Sequence, residues 1–154
     1  MSTETTVLVC FDVRSEKFSF VKVKTFVIEG TMINYNGKLG FLRAGKSTCA
    51  YRSSRIVNLL VLEDIDKQGW SERTFVLPAL WEDIVGSAML GFVGMTRTNE
   101  IVMRQVSIEP IPLCLFYFNT ERNTVVRVAV EGMDVSEYDS VHIFLDHVEN
   151  VELM

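Results

Sequence analysis

The sequence predicts an all-β fold, a partial kelch-like β-propeller of about three blades of antiparallel strands. Three observations predict it. A short apolar strand runs three times into an acidic or amide residue, a polar turn and a second strand; the markers Asp12, Asp64 and Asn119 stand 52 and 55 residues apart. Another hairpin-like segment follows each copy, and a period near 50 residues holding two hairpins belongs to propeller blades. Finally, 48% of the 154 residues are hydrophobic, enough for a core, yet almost none of the chain shows the apolar spacing of an amphipathic helix.

The elements follow in order. Strands at 7–11 and 18–23 flank a turn too polar to bury; in the second, Phe18, Phe20, Val21 and Val23 are interrupted by Ser19 and Lys22. Strands at 31–35 and 38–42 bracket Asn36-Gly37, a strong hairpin signal because both central residues of a type I′ turn need positive φ. Strands at 56–62 and 73–77 form the second copy, and Pro78 ends it because proline cannot donate to a ladder. Residues 79–85, closed by Gly86, read as a single helical turn whose Trp81 packs on a neighbouring blade. Strands at 90–95 and 100–106, 113–118 and 124–130, and 141–145 and 148–153 complete a count near twelve. Segments 44–55 and 132–139 are expected to be loops, where scaffolds of this kind carry most specific contacts.

Composition narrows the function. A formal charge of −5 gives no basic face for nucleic acid; the sole basic clustering is Arg43, Lys46, Arg52 and Arg55. Cys10, Cys49 and Cys114 lack metal-ligand spacing and read as buried reduced thiols. The first residues have neither the basic nor the apolar region of a signal peptide, and no apolar run approaches the ~20 residues that cross a bilayer. An intracellular protein, cytoplasmic or nuclear, is expected, with no membrane contact.

Residues 40–47 (GFLRAGKS) fit the phosphate-loop pattern G-x-x-x-x-G-K-[ST] from Gly40 through Gly45 and Lys46 to Ser47. The apolar run ending in Glu63 and Asp64 imitates the acidic strand that holds magnesium in such enzymes. A phosphate loop, however, must open a helix whose dipole faces the phosphates. Here the preceding strand is one arm of the Asn-Gly hairpin, and the following residues are Ser-rich with poor helix propensity. Nucleotide binding at Gly40–Ser47 is therefore the alternative reading and not the leading one. His142 and His147 are five apart and face opposite sides of a strand. Asp146 beside His147 has no Gly-x-Ser-x-Gly elbow to serve, and Glu82-Asp83 are adjacent in sequence. No catalytic set, cofactor site or metal site emerges. A glycan-binding β domain would need aromatic side chains on loops, whereas Phe11, Phe18, Phe20, Phe116 and Phe118 stand inside strands.

The same residues carry a family resemblance. Segments 10–20 (CFDVRSEKFSF), 33–40 (INYNGKLG), 61–70 (VLEDIDKQGW), 75–78 (FVLP), 92–94 (FVG), 119–124 (NTERNT), Gly132-Met133 and 144–151 (FLDHVENV) resemble the plant F-box-associated domain of type 3. The resemblance runs in order along nearly the whole chain and identifies residues 1–154 as a single such domain. It implies a β-propeller near the C-terminus of F-box proteins, recruiting a protein target to a cullin ubiquitin ligase, without enzymatic activity of its own. In those relatives a separate N-terminal F-box binds the Skp adaptor. Six residues precede the first strand here, so an N-terminally truncated domain without an F-box is expected, and Skp binding is not. The target and the partner-binding residues are unknown at this level. Three blades are too few to close a ring, which predicts self-association through open blade edges.

Overall fold

The computed structural model describes residues 5–24, 29–45, 49–50 and 54–146. Eleven strands lie within them, in three antiparallel sheets. Sheet I pairs β1 (Thr5–Asp12) with β2 (Lys17–Lys24). Sheet II runs in the order β3 (Thr31–Tyr35), β4 (Lys38–Arg43), β6 (Ile56–Asp64), β7 (Gly69–Val76). Sheet III runs in the order β5 (Cys49–Ala50), β8 (Met89–Met95), β9 (Glu100–Val106), β10 (Ile111–Asn119), β11 (Thr124–Val135). A short helix, α1 (Trp81–Val85), lies in the connection from sheet II to sheet III and ends at Gly86 with φ 59°.

The sheets are out of phase with the sequence period. The first two copies each supply an outer hairpin to one sheet and an inner hairpin to the next. Sheet II joins β3–β4 of the first copy to β6–β7 of the second, and sheet III joins β8–β9 of the second copy to β10–β11 of the third. The copy boundaries are thus crossed by backbone ladders, with Phe41 opposite Leu60 between β4 and β6 and Phe116 opposite Met103 between β9 and β10.

The three marker residues perform one task. Asp12 Oδ1 accepts from Arg14 N–H at 3.0 Å, Asp64 Oδ1 from Lys67 N–H at 3.0 Å, and Asn119 Oδ1 from Glu121 and Arg122 N–H at 3.1 and 2.8 Å. Such side-chain acceptors hold a tight turn by mimicking a backbone carbonyl. Four residues after each marker the chain takes positive φ, at Glu16 (53°), Gln68 (51°) and Asn123 (54°). Asparagine tolerates that conformation; glutamate and glutamine carry its cost of roughly 1 kcal/mol. Asn119→Ala is accordingly expected to lower unfolding free energy by about 1 kcal/mol, and Glu16→Gly to raise it by about 0.5 kcal/mol. Urea titration of both variants checks the two signs. Asn36 and Gly37 take φ 50° and 82°, as a type I′ turn requires.

Two seams hold the sheets together. Between sheets I and II, Val21 and Val23 meet Phe41 and Leu62, with Leu8, Cys10, Leu60 and Trp70 around them. Between sheets II and III lies the larger core. Ile33, Val57, Leu59 and Val61 face Ile101, Met103, Phe116 and Phe118, and Trp81 reaches in from α1. Trp81 is fully buried and stands edge-on to Phe116 at 6.4 Å between ring centroids. Among the described residues, seventeen buried residues line this seam against four in the first, so most of their hydrophobic stabilisation resides there.

Several expectations need correction. Residues 44–55 are not wholly loop: Cys49 and Ala50 pair with Gly91 and Leu90 as a fifth strand of sheet III. The strand expected to stop at 130 continues to Val135 after a bulge, because Gly132 (φ 76°) lets the chain bend and resume opposite Ile111. The strand expected at 141–145 makes no ladder. That segment runs across the outer face of sheet III, where Val141 and Ile143 pack beside Leu113, Leu115 and Val135. The strand expected at 148–153 lies outside the described residues. Only Cys114 is a buried thiol; Cys10 and Cys49 are half-buried. Phe116 and Phe118 are core, but Phe11, Phe18 and Phe20 project from their strands into solvent.

Candidate functional site

Antiparallel connectivity puts the hairpin turns at one rim. Turns 36–37 and 65–68 share the same end of sheet II, where the Lys38 ammonium binds the Glu63 carboxylate. Turns 96–99 and 120–123 share the same end of sheet III, where the Thr120 hydroxyl donates to Asn99 O at 3.0 Å. The inner strands β3 and β8 lie side by side across the seam. Their turns bound a cleft of about 420 Å³ lined by Asn34, Asn36, Met95, Arg97, Leu145 and Asp146, among others.

Local chemistry fixes this cleft. Asn34 Oδ1 accepts from Gly37 N–H at 2.8 Å, which leaves the Asn34 amide nitrogen as a donor. Thr96 Oγ1 accepts from Glu100 N–H at 3.0 Å and closes the neighbouring turn. Asp146 Oδ2 accepts from Arg97 N–H at 2.7 Å and anchors the tail segment to the rim. Gly94 makes room for that tail, since a Cβ there would stand 3.3 Å from Leu145 Cδ1. The Arg97 side chain is exposed at the cleft edge. The cleft thus brings one guanidinium, amides and a carboxylate together, with Met95 and Leu145 among the lining residues.

Three turn and strand-end carboxyls are held below their ordinary values. The Ser15 hydroxyl and then the Arg14 N–H keep the Asp12 carboxyl below its ordinary 3.8. Lys38, and then the Ser71 hydroxyl, lower Glu63 from 4.5. On the opposite side of the chain, the Ser136 N–H and then its hydroxyl lower Asp139 from 3.8. For a carboxyl depressed in the folded state, stability is present above the unfolded value and lost as pH falls through the folded one. Thermal midpoints are therefore expected to hold level from pH 7 to about 5 and to fall below about pH 4. Asp12→Asn keeps the turn, as Asn119 does in the third copy, and is expected to make that acid fall shallower.

The described start of the phosphate-loop match is strand. Gly40–Arg43 are part of β4, paired with β3 on one side and β6 on the other, so their backbone donors belong to the sheet. Gly40 is needed for packing: a Cβ there would lie 3.1 Å from Ile33 Cγ1 and 3.1 Å from Leu59 Cδ1. Lys46 and Ser47 lie outside the described residues. Asp64 caps a turn, Glu63 pairs with Lys38, and Glu82 and Asp83 stand in the first turn of α1. Arg55 donates to Leu77 O at 3.2 and 3.0 Å, Arg43 is half-buried in β4, and Arg52 lies outside the described residues. His142 is exposed, and His147 lies outside the described residues. Among the described residues no three His, Cys, Asp or Glu side chains converge, and no helix is long and apolar enough to cross a membrane.

A family model described as the F-box associated beta propeller domain matches residues 1–148. The chain belongs to this family. Relatives of this F-box-associated propeller include F-box protein At5g65850 of Arabidopsis thaliana, 45% identical over 96% of this chain and 38% of that protein. Putative F-box protein At2g19630 of the same plant is 44% identical over 96% of this chain and 48% of its own length. F-box protein DOR, also from that plant, is 41% identical over 100% of this chain and 38% of its own length. The chain thus spans less than half the length of these curated relatives. No solved structure matches it. The F-box-associated family fits the three antiparallel sheets. Sequence reasoning foresaw the turns singly. It missed the cleft, which joins turn 36–37 to turn 96–99 and to Asp146, because nothing local ties residues so far apart in the chain.

Proposed function

We propose that this chain is a non-enzymatic, target-recruiting module of the ubiquitin-ligase adaptor type, and that it grips its protein target through the rim of hairpin turns around the Asn34–Arg97 cleft. The observation that carries this reading is the family match across residues 1–148, whose relatives are named F-box proteins. The rim supports it physically: turns held by side-chain caps form a rigid platform, and rigid platforms lose little entropy on binding. As one recognition domain, the chain is not expected to bind purified Skp adaptor by itself.

Charge reversal tests the placement. Lys67, Arg97 and Arg122 are exposed on three of the turns, and Glu109 is exposed at the opposite end. A target captured by the wild-type chain should be lost on Lys67→Glu/Arg97→Glu/Arg122→Glu and kept on Glu109→Lys, with melting unchanged in both. Retention of the target by the triple variant, or its loss on Glu109→Lys alone, would remove the rim from this role.

A further inference from the structure

The segment from Ser136 to Asp146 is a strap. It makes no ladder among the described residues and runs from the end of β11 to the rim. At its start the Ser136 N–H and hydroxyl both donate to Asp139 Oδ2, at 2.6 and 2.9 Å. There too Glu137 N–H donates to Ser107 O at 2.7 Å, and Val141 N–H to Asp139 O at 2.9 Å. In its middle Val141 and Ile143 lie half-buried on the outer face of sheet III. At its far end Leu145 packs against Gly94, and Asp146 Oδ2 accepts from Arg97 N–H at 2.7 Å. Leu145 and Asp146 also line the rim cleft. Whatever loosens the strap therefore unsettles one wall of that cleft.

The turn that starts the strap has a sequence of its own. Among the serines and threonines of the chain, only Ser136 is followed by acidic residues at both the first and the third position, Glu137 and Asp139; Asp134 stands two before it. Asp134, Glu137, Tyr138 and Asp139 are exposed, and Ser136 is half-buried. Protein kinases choose their substrates by charge patterns of this sort. We propose that Ser136 is a phosphorylation site for an acid-directed serine kinase, and that phosphorylation there releases the strap from the cleft. In the transfer the bond between the γ-phosphorus of ATP and ADP breaks and a bond to Ser136 Oγ forms. The hydroxyl proton passes to the kinase's base, so the donor to Asp139 is lost. In its place stands a group carrying a charge of about −1.5 to −2, beside a carboxylate that the hydroxyl had bonded. Asp134 and Glu137 flank it with the same sign. Arg104 acts on Asp139 from sheet III, but one guanidinium does not balance the phosphate and the carboxylate together. With the turn broken, two half-buried side chains, Leu145 and one hydrogen bond at Asp146 hold the strap. The bearing of this release on target capture rests on the rim reading above; the release itself does not.

The full chain, incubated with Mg-ATP and a kinase that reads acidic residues one and three positions after serine, tests the site. Fragment mass spectrometry should find phosphate on Ser136 and none on that peptide in Ser136→Ala. Amide hydrogen exchange followed by NMR tests the release. In the phosphorylated chain the Glu137, Val141 and Arg97 amides should exchange roughly tenfold faster or more, as on losing a hydrogen bond to a charged group. Amides of β4 and β6 should keep their rates, which separates local release from unfolding. Ser136→Ala loses the hydroxyl but gains no charge, and its Arg97 amide should exchange at the wild-type rate. The proposal is overturned if Ser136 stays unmodified, or if phosphate goes to other residues instead. It is overturned equally by an unchanged Arg97 amide in the phosphorylated chain, or by faster exchange throughout the molecule. Release of the strap with target capture unaffected would leave this site standing and count against the rim reading alone.

Discussion

Trp81→Ala is expected to remove about 3–5 kcal/mol of unfolding free energy, a third or more of what holds a domain of this size. The residue is one of five in a short helix that propensity alone would not sustain, and its indole is the largest fully buried side chain. It fills the seam between sheets II and III beside Phe116, where truncation leaves a cavity bounded by two strand-built walls that cannot collapse. Trp81→Phe keeps an aromatic edge toward Phe116 and should recover more than half of the loss. Guanidinium titration followed by circular dichroism separates the two; equal stability for Trp81→Ala and wild type would mean that the seam is not the principal core.

Gly40→Ala is expected to destabilise the chain by about 1–2 kcal/mol, against the usual benefit of replacing a strand glycine. Removing glycine from a strand ordinarily gains roughly 0.5–1 kcal/mol. Here the added Cβ meets Ile33 and Leu59 at 3.1 Å from either side, and overpacking of that kind costs roughly 1–3 kcal/mol. The larger effect wins. The same position separates the two meanings of the Gly40–Ser47 pattern. In a phosphate loop the glycine serves the nucleotide; in β4 it serves the core. Millimolar Mg-ATP should leave the melting temperature unchanged in wild type, in Gly40→Ala and in Lys46→Ala, whereas a site would shift the first alone. A shift in wild type abolished by Lys46→Ala would reinstate nucleotide binding.

The hairpins were legible because their determinants are local. Asn36-Gly37 selects its turn from two residues, the markers cap theirs within three, and Pro78 ends a strand by itself. The phase of the sheets was not legible. Which hairpin joins which depends on ladders such as β4 with β6, formed between residues some twenty apart across a segment without pattern. The tail illustrates another limit: Val141, Ile143 and Leu145 alternate like a strand, but alternation records only that one side is buried, and here it is buried on top of a sheet. Phe11, Phe18 and Phe20 do stand inside strands as expected, but which face of a strand meets solvent lies beyond local inference. At the rim, each turn was readable and their convergence was not, because Arg97 and Asp146 meet across 49 residues of chain.

The offset between copies and sheets also bears on mechanical strength. Were each copy its own sheet, adjoining copies would touch through oily side chains alone, and a pull on the chain would part them as wet plates slide. Instead, separating the first copy from the second means shearing β4 from β6, and separating the second from the third means shearing β9 from β10. Backbone bonds loaded in parallel resist such a force together and give way at once. The joints between copies, the natural weak lines of any repeated structure, are thereby placed in the middle of its strongest fabric.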